Sequence, residues 1–244
     1  MPSIFLSPST QENNAYVTGS GSEEYWMNRL ADAMIPYLNS CGIQYTRNTP
    51  DMTAGSSIRL ANQGWYDFYL ALHSNAAGEG NYGGVRGIIA FYYHSSTQGQ
   101  RAAQIFVNNL REIYPLPDKV VTRSTTTLGE VRDSKFPANL LELGYHDNYE
   151  DARWIEGNIP EIARNLVLSL TDYFDIPFIW PTTPWEGTVQ VSGTLNLRSR
   201  PSTNASVVTS IPNGAEVRIY GRYEDWYVVR YGDYVGYAAA QYIV

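Results

Sequence analysis

Residues Phe68–Ala76 read FYLALHSNA, a run of apolar side chains that gives way to polar ones. The run is short and prone to β structure, which is typical of a strand buried on both faces. It delivers the imidazole of His73 to the carboxyl end of the strand, the edge at which α/β sheets place their sites. Taken alone, a histidine in this place is more often a structural residue than a ligand.

A second segment of the same kind, Leu140–Asn148, reads LLELGYHDN. It places the carboxylate of Glu142 and the imidazole of His146 at what we expect to be the same sheet edge. Because burying a carboxylate inside an apolar strand is costly, Glu142 needs a partner or a function. A desolvated glutamate beside a metal-activated water is a good general base, so Glu142 is the candidate for that role.

The remaining segments before residue 175 alternate between short strands and helices. The clearest helix begins with Ser20-Gly21-Ser22-Glu23, ends at Gly42 and has one apolar face. Alternation of this kind predicts an α/β fold with a mostly parallel central sheet flanked by helices. The other predicted strands are Ile4–Ser7, Ile43–Arg47 and Gly87–Tyr93, and the other predicted helices cover about 97–113, 149–157 and 161–173.

A change of composition divides the chain. Residues 1–175 form the predicted first domain, 176–187 a proline-rich linker, and 188–244 a second domain of strands and turns. Fewer than 60 residues in five or so short strands cannot build a broad sandwich, so a small closed barrel is expected.

The net charge and the distribution of apolar residues limit the classes of partner that the protein can bind. The net charge is −7 and the isoelectric point is near 5.0, so the chain offers no positive field for nucleic acid or anionic lipid. No segment approaches the roughly 18 apolar residues of a membrane span, and Met1–Ser7 lacks the basic start of a secretory signal. We therefore expect neither nucleic acid nor a membrane as a partner.

Three motifs together resemble a known family. They are Ser7-Pro8 after the first strand, the HSNA of His73–Ala76, and the ELGYHDN of Glu142–Asn148. Over about residues 3–174 the chain resembles the zinc-dependent N-acetylmuramoyl-L-alanine amidases of the amidase 3 type. The resemblance implies a hydrolase that uses zinc-activated water to cleave the amide between N-acetylmuramic acid and L-alanine in bacterial peptidoglycan.

Family members hold zinc with a histidine, a glutamate and a second histidine, and use a separate glutamate as the base. By this resemblance Glu24, four residues before Asn28, matches the metal carboxylate, His73 the second histidine, and Glu142 the base. An acidic first turn also stabilises a helix N-terminus without any metal, which Glu23 could equally supply.

The first ligand departs from the family pattern. Where the family has Asp-Pro-Gly-His, this chain reads Ser7-Pro8-Ser9-Thr10-Gln11, and no histidine precedes His73. Catalytic zinc usually has three protein ligands. We expect His146 to supply the missing one, with Gln11 as the possible substitute, although an amide oxygen is a poor match for zinc. Alternatively, His146 contacts the substrate or supports a ligand.

The second domain resembles a bacterial SH3 domain. The resemblance rests on Leu195–Ser202, the turn at Pro212-Asn213-Gly214, Trp226–Arg230 and Gly236–Ala238, and it implies binding to the cell wall. Leu195, Leu197, Val217 and Trp226 are expected in its core.

Two other functions stay open: a catalytically dead wall-binding protein, and a zinc peptidase that acts on the stem peptide. In each case the protein is expected to act on the cell wall, after secretion or after release by phage lysis. The sequence leaves undecided the oligomeric state, the stem-peptide preference, the ligand of the SH3-like domain, and the choice between phage lysis, cell separation and sporulation.

Overall fold

The computed structural model describes residues 1–244, which fall into two compact units. The first, called here the sheet unit, comprises Ser3–Met34 and Tyr45–Tyr173. The second, called the barrel unit, comprises Met1–Pro2, Ile35–Gln44 and Phe174–Val244.

A six-stranded sheet in the order β2-β1-β3-β6-β4-β5 forms the centre of the fold. Its strands are β1 (Ser3–Pro8), β2 (Gln44–Arg47), β3 (Phe68–Asn75), β4 (Ile88–Tyr93), β5 (Val120–Thr125) and β6 (Ala138–Tyr145). The helices are α1 (Glu23–Ser40), α2 (Ala54–Gln63), α3 (Thr97–Arg111), α4 (Gly129–Arg132), α5 (Tyr149–Gly157) and α6 (Ile159–Phe174).

The predicted mostly parallel sheet with flanking helices is confirmed. The pairs β1–β3, β3–β6 and β4–β5 are parallel, and the pair β4–β6 is antiparallel. β3 lies in the interior, which explains why its sequence is continuously apolar rather than alternating. The strand β5 was not predicted, because it lies at the sheet edge and buries only Val120.

The helix α1 buries the predicted apolar face, since Met27, Leu30, Met34 and Leu38 are fully inaccessible. The helix ends at Ser40, and Gly42 follows the last turn with a positive φ of 72°, which suits a glycine at this position. The amide of Ile43 donates to the carbonyl of Leu38 and completes the cap.

No helix of the structure is both long and apolar enough to cross a lipid bilayer.

The barrel unit contains a second six-stranded sheet, antiparallel throughout its described pairs, in the order β7-β10-β11-β12-β8-β9. This agrees with the predicted SH3-like barrel. The strands are β7 (Trp185–Thr188), β8 (Thr194–Arg198), β9 (Val207–Pro212), β10 (Glu216–Tyr223), β11 (Trp226–Tyr231) and β12 (Tyr234–Ala239).

The barrel core contains the expected Leu195, Leu197 and Val217. The expectation that Trp226 is core was wrong, because its side chain is only half-buried and lines a cleft on the barrel surface. Within the proline-rich stretch, β7 starts at Trp185 and Ile179 is buried. The Ser40 hydroxyl donates to the Ile179 carbonyl at 2.7 Å, so this stretch is packed rather than free.

Candidate active site

The carboxyl ends of the central strands bring His73 and Glu142 together. The two residues are direct partners in the parallel register of β3 and β6. β1 runs parallel to β3 and ends at Pro8 beside them. Polar side chains that leave these three strands therefore meet at one sheet edge, where α/β proteins place their sites.

His73 lies between two carboxylates. Its Nδ1 is 2.8 Å from Oε1 of Glu23, and its Nε2 is 2.8 Å from Oε2 of Glu130. All three side chains are buried. This arrangement uses both nitrogens of the ring, and each carboxylate accepts a hydrogen bond from one ring N–H group when the ring is charged.

The electrostatics of this group follow from the contacts. Burial alone would lower the pKa of His73, but the charges and hydrogen bonds of Glu130 and Glu23 raise it well above its ordinary value. Burial would raise the pKa of both carboxyls, and the contact with His73 holds both below their usual range. The group is thus a buried cation flanked by two anions.

The carboxylate that meets His73 belongs to Glu23, not to the predicted Glu24. α1 begins at Glu23, and neighbouring residues of a helix point about 100° apart, so only one of the pair can face the sheet edge. Oε2 of Glu23 accepts a hydrogen bond from Nδ2 of Asn14 at 2.6 Å. The Glu24 carboxylate instead accepts one from the Asn28 amide at 3.2 Å.

Gln11 lies beside the same pair. Its Nε2 is 3.3 Å from Oε1 of Glu23 and 3.4 Å from Nδ1 of His73. Oxygen and nitrogen of an amide are assigned from the hydrogen-bond network, so the side chain can present either atom to this position. Gln11, in the segment that follows β1, therefore lies within reach of both His73 and Glu23.

His146 is held elsewhere. Its Nδ1 contacts the carbonyl oxygen of Ser74 at 2.8 Å, and its ring stacks on Tyr16 with 5.8 Å between centroids. No hydrogen bond joins it to Glu23 or His73. The loop after β6 thus anchors this imidazole to the β3 backbone instead of turning it towards His73. His94 is exposed.

Glu142 has an orphaned oxygen. Its Oε2 is inaccessible and has no hydrogen-bond partner. Desolvation raises the pKa of this carboxyl to about 7, opposed by His73 and assisted by the charges of Glu23 and Glu130. A carboxyl that is half-ionised near neutral pH suits a general base.

Several side chains at this sheet edge carry nitrogen or oxygen atoms of the kinds that bind divalent metal ions. No group of three His, Cys, Asp or Glu side chains gathers in a way that could hold one. Nδ1 of His73 and Oε1 of Glu23 do converge, and Glu130 holds the far nitrogen, an arrangement common for metal-binding histidines. With the Gln11 amide as a third donor and the orphaned Glu142 oxygen nearby, these residues fit a divalent metal.

Comparison with protein families decides the class of enzyme. The family model described as N-acetylmuramoyl-L-alanine amidase matches residues 9–171, about two thirds of the chain. The chain belongs to this amidase family. A second model, the bacterial SH3 domain, matches residues 193–244 of the amidase.

Solved structures show the same fold. An N-acetylmuramoyl-L-alanine amidase from Clostridium difficile 630 is 19% identical with a TM-score of 0.63, covering 71% of this amidase and 97% of that chain. AmiC2 of Nostoc punctiforme is 16% identical with a TM-score of 0.62, and the coverage is again 71% and 97%. The catalytic domain of the CD27L endolysin, described as targeting Clostridia difficile, is 19% identical with a TM-score of 0.56, covering 70% and 98%. The curated proteins contained no matching sequence.

Sequence reasoning missed one member of the site, Glu130. It stands 57 residues after His73 on the four-residue helix α4, in a segment with no motif. The one signal available was an acidic residue beside Val131 between two strands, which is too common to single out. Only the fold of the amidase brings it to His73.

Proposed function

We propose that this amidase cleaves the bond between N-acetylmuramic acid and L-alanine with zinc held by His73, Glu23 and Gln11. The observation that carries the proposal is the meeting of His73, Glu23 and Glu142 at one edge of the sheet. The family supports peptidoglycan as the substrate class. In this proposal Glu23 takes the role predicted for Glu24, and Gln11 the role predicted for His146.

The proton transfers of the reaction are assigned to Glu142. What a zinc ion supplies when bound at such a site is polarisation of the scissile carbonyl and a lowered pKa of water. Glu142 accepts the proton of the attacking water at its carboxylate and returns a proton to the leaving nitrogen of L-alanine. Burial raises the pKa of this carboxyl, which suits a group that must both take up a proton and give one back.

The barrel unit serves to hold the enzyme on its polymer. A bound module raises the effective concentration of the catalytic site near the wall without any new contact at that site. We assign residues 1–175 to catalysis, 188–244 to wall binding, and 176–187 to the connection between them. The match to the bacterial SH3 domain supports binding to the cell wall, which is where we propose that the protein acts.

The test is product analysis with purified peptidoglycan. Wild-type protein should release glycan chains and intact stem peptides that carry a new N-terminal alanine. Glu142→Gln removes the base while conserving size, and it should abolish this product. Glu150→Gln, at an exposed position on α5, is the matched control and should leave it unchanged.

The alternatives give different outcomes. New amino groups on residues within the stem peptide would indicate a peptidase. Binding to walls with no product of any kind would indicate a catalytically dead protein, the alternative suggested by the absence of a three-residue His, Cys, Asp or Glu cluster.

A further inference from the structure

Glu130 is held by three buried side-chain hydrogen bonds at the site. Its Oε1 accepts hydrogen bonds from the Ser7 hydroxyl at 2.7 Å and the Tyr69 hydroxyl at 2.8 Å. Its Oε2 is left for Nε2 of His73 at 2.8 Å. Only 4% of the residue is exposed, so these contacts are shielded from water.

We propose that Glu130 is a positioning residue that keeps the proton of His73 on Nε2 and so presents Nδ1 to the metal. The inference rests on the proposed function, since it concerns how the zinc ligand is oriented. Glu130 itself touches neither metal nor substrate in this assignment.

A neutral histidine carries one proton, and the hydrogen bond made by one nitrogen decides which nitrogen remains free to bind a metal. A carboxylate on the protonated nitrogen also fixes the ring plane and makes the other nitrogen a stronger donor. Glu130 occupies Nε2, whereas Nδ1 faces both Glu23 and Gln11, the other two proposed ligands, so Nδ1 is assigned as the ligand atom.

The supporting hydroxyls make the orientation rigid. Ser7 lies on β1 and Tyr69 on β3, so two adjacent strands of the sheet hold one oxygen of Glu130. An ionised carboxylate can only accept, and both hydroxyls therefore donate to it. The carboxylate cannot rotate without breaking two buried hydrogen bonds, which is costly.

A counter-charge for His73 alone would not require this arrangement. Glu23 already supplies a buried carboxylate on the opposite nitrogen. Two carboxylates at opposite ends of one ring give its nitrogens different tasks, one for support and one for binding.

The experiment measures zinc affinity of the full-length protein by competition with a chromophoric chelator. Glu130→Gln should weaken zinc binding about 10- to 100-fold, the usual cost of losing such a supporting carboxylate. Tyr69→Phe removes one of the two holding hydroxyls and should weaken binding less, in the same direction. This second variant keeps the test valid if Glu130→Gln does not fold.

A matched control is available on α5. Glu156 also accepts hydrogen bonds from two hydroxyls, those of Thr18 and Ser20, but has no histidine partner. Glu156→Gln should leave zinc affinity unchanged.

A spectroscopic measurement separates positioning from general loss of structure. In the cadmium-substituted protein with nitrogen-labelled histidine, the metal should couple to Nδ1 of His73, and Nε2 should carry a slowly exchanging proton. Glu130→Gln should speed the exchange of that proton. Coupling to Nε2, or zinc affinity in both variants equal to wild type, would overturn the inference.

The failure of this inference is distinguishable from failure of the proposed function. If His73→Ala abolishes zinc binding while Glu130→Gln and Tyr69→Phe do not change it, only the role of Glu130 is rejected. If wild-type protein binds no zinc, both are rejected.

Discussion

His73 on β3 lies directly opposite Glu142 on β6 in a parallel register. One residue is surrounded by charged partners on both ring nitrogens, while an oxygen of the other has no partner. The site therefore has two parts. Around His73 lie the residues proposed to bind the metal, and at Glu142 lies a carboxyl with an unpartnered oxygen.

Adjacent glutamates at the start of α1 should behave differently. Glu23→Gln removes the carboxylate that meets His73 and should lower zinc affinity and kcat/KM by about 100-fold or more, which is roughly 3 kcal/mol. Glu24→Gln is the matched neighbour and should retain both, because its carboxylate contacts Asn28 instead. Chelator competition and wall-digestion rates measure the two effects. The reverse order of sensitivity would show that the assignment to Glu23 is wrong.

Gln11 should control metal affinity from the position of the missing histidine. Gln11→His supplies an imidazole in place of an amide and should tighten zinc binding, since zinc prefers nitrogen ligands of this type. Gln11→Ala should weaken it. His146→Ala is informative beside them, because a histidine bound to the Ser74 carbonyl should affect zinc affinity less than Gln11 does. A larger loss from His146→Ala would restore His146 as the third ligand.

Glu142 should give the chelated protein a characteristic pH dependence of stability. Its pKa is about 7 in the folded protein against an ordinary value of 4.5, so the native state retains a proton that the unfolded chain loses. The stabilisation is fully present below pH 4.5 and is lost as the pH rises through about 7. Glu142→Gln removes this dependence.

Denaturant unfolding of both proteins across that range provides the measurement. Relative to Glu142→Gln, wild-type protein should lose up to about 3 kcal/mol of unfolding free energy as the pH rises. Parallel profiles for the two proteins would show that the carboxyl is not desolvated.

The barrel cleft should contribute to wall binding. Trp226 lines a cleft of about 720 Å³ together with Tyr227 and Tyr242. An aromatic surface with polar edges suits wall polymers, so Trp226→Ala should reduce co-sedimentation with purified walls. Tyr234→Ala, which removes an exposed aromatic elsewhere on the barrel, is the control. Equal binding by all three proteins would place the wall-binding surface outside this cleft.

The predictability of the site differed between its residues for physical reasons. The sheet and the adjacency of His73 and Glu142 follow from two apolar strands that each end in polar residues. Glu23 and Glu24 are successive residues of α1 and differ in direction by about 100° around the helix axis. The spacing of the motifs does not show which of the two faces the site. The placement of His146 depends on a loop backbone, and that of Glu130 on a four-residue helix distant in sequence. Neither leaves a periodic pattern.

The most direct test is crystallography of the zinc-loaded protein with anomalous scattering at the zinc edge. A peak about 2.0–2.2 Å from Nδ1 of His73 and from a Glu23 oxygen, with the Gln11 amide completing the protein ligands and Glu142 beside it, is the expected result. A peak that lies elsewhere, or that is bound through Nε2 of His73, would contradict the account.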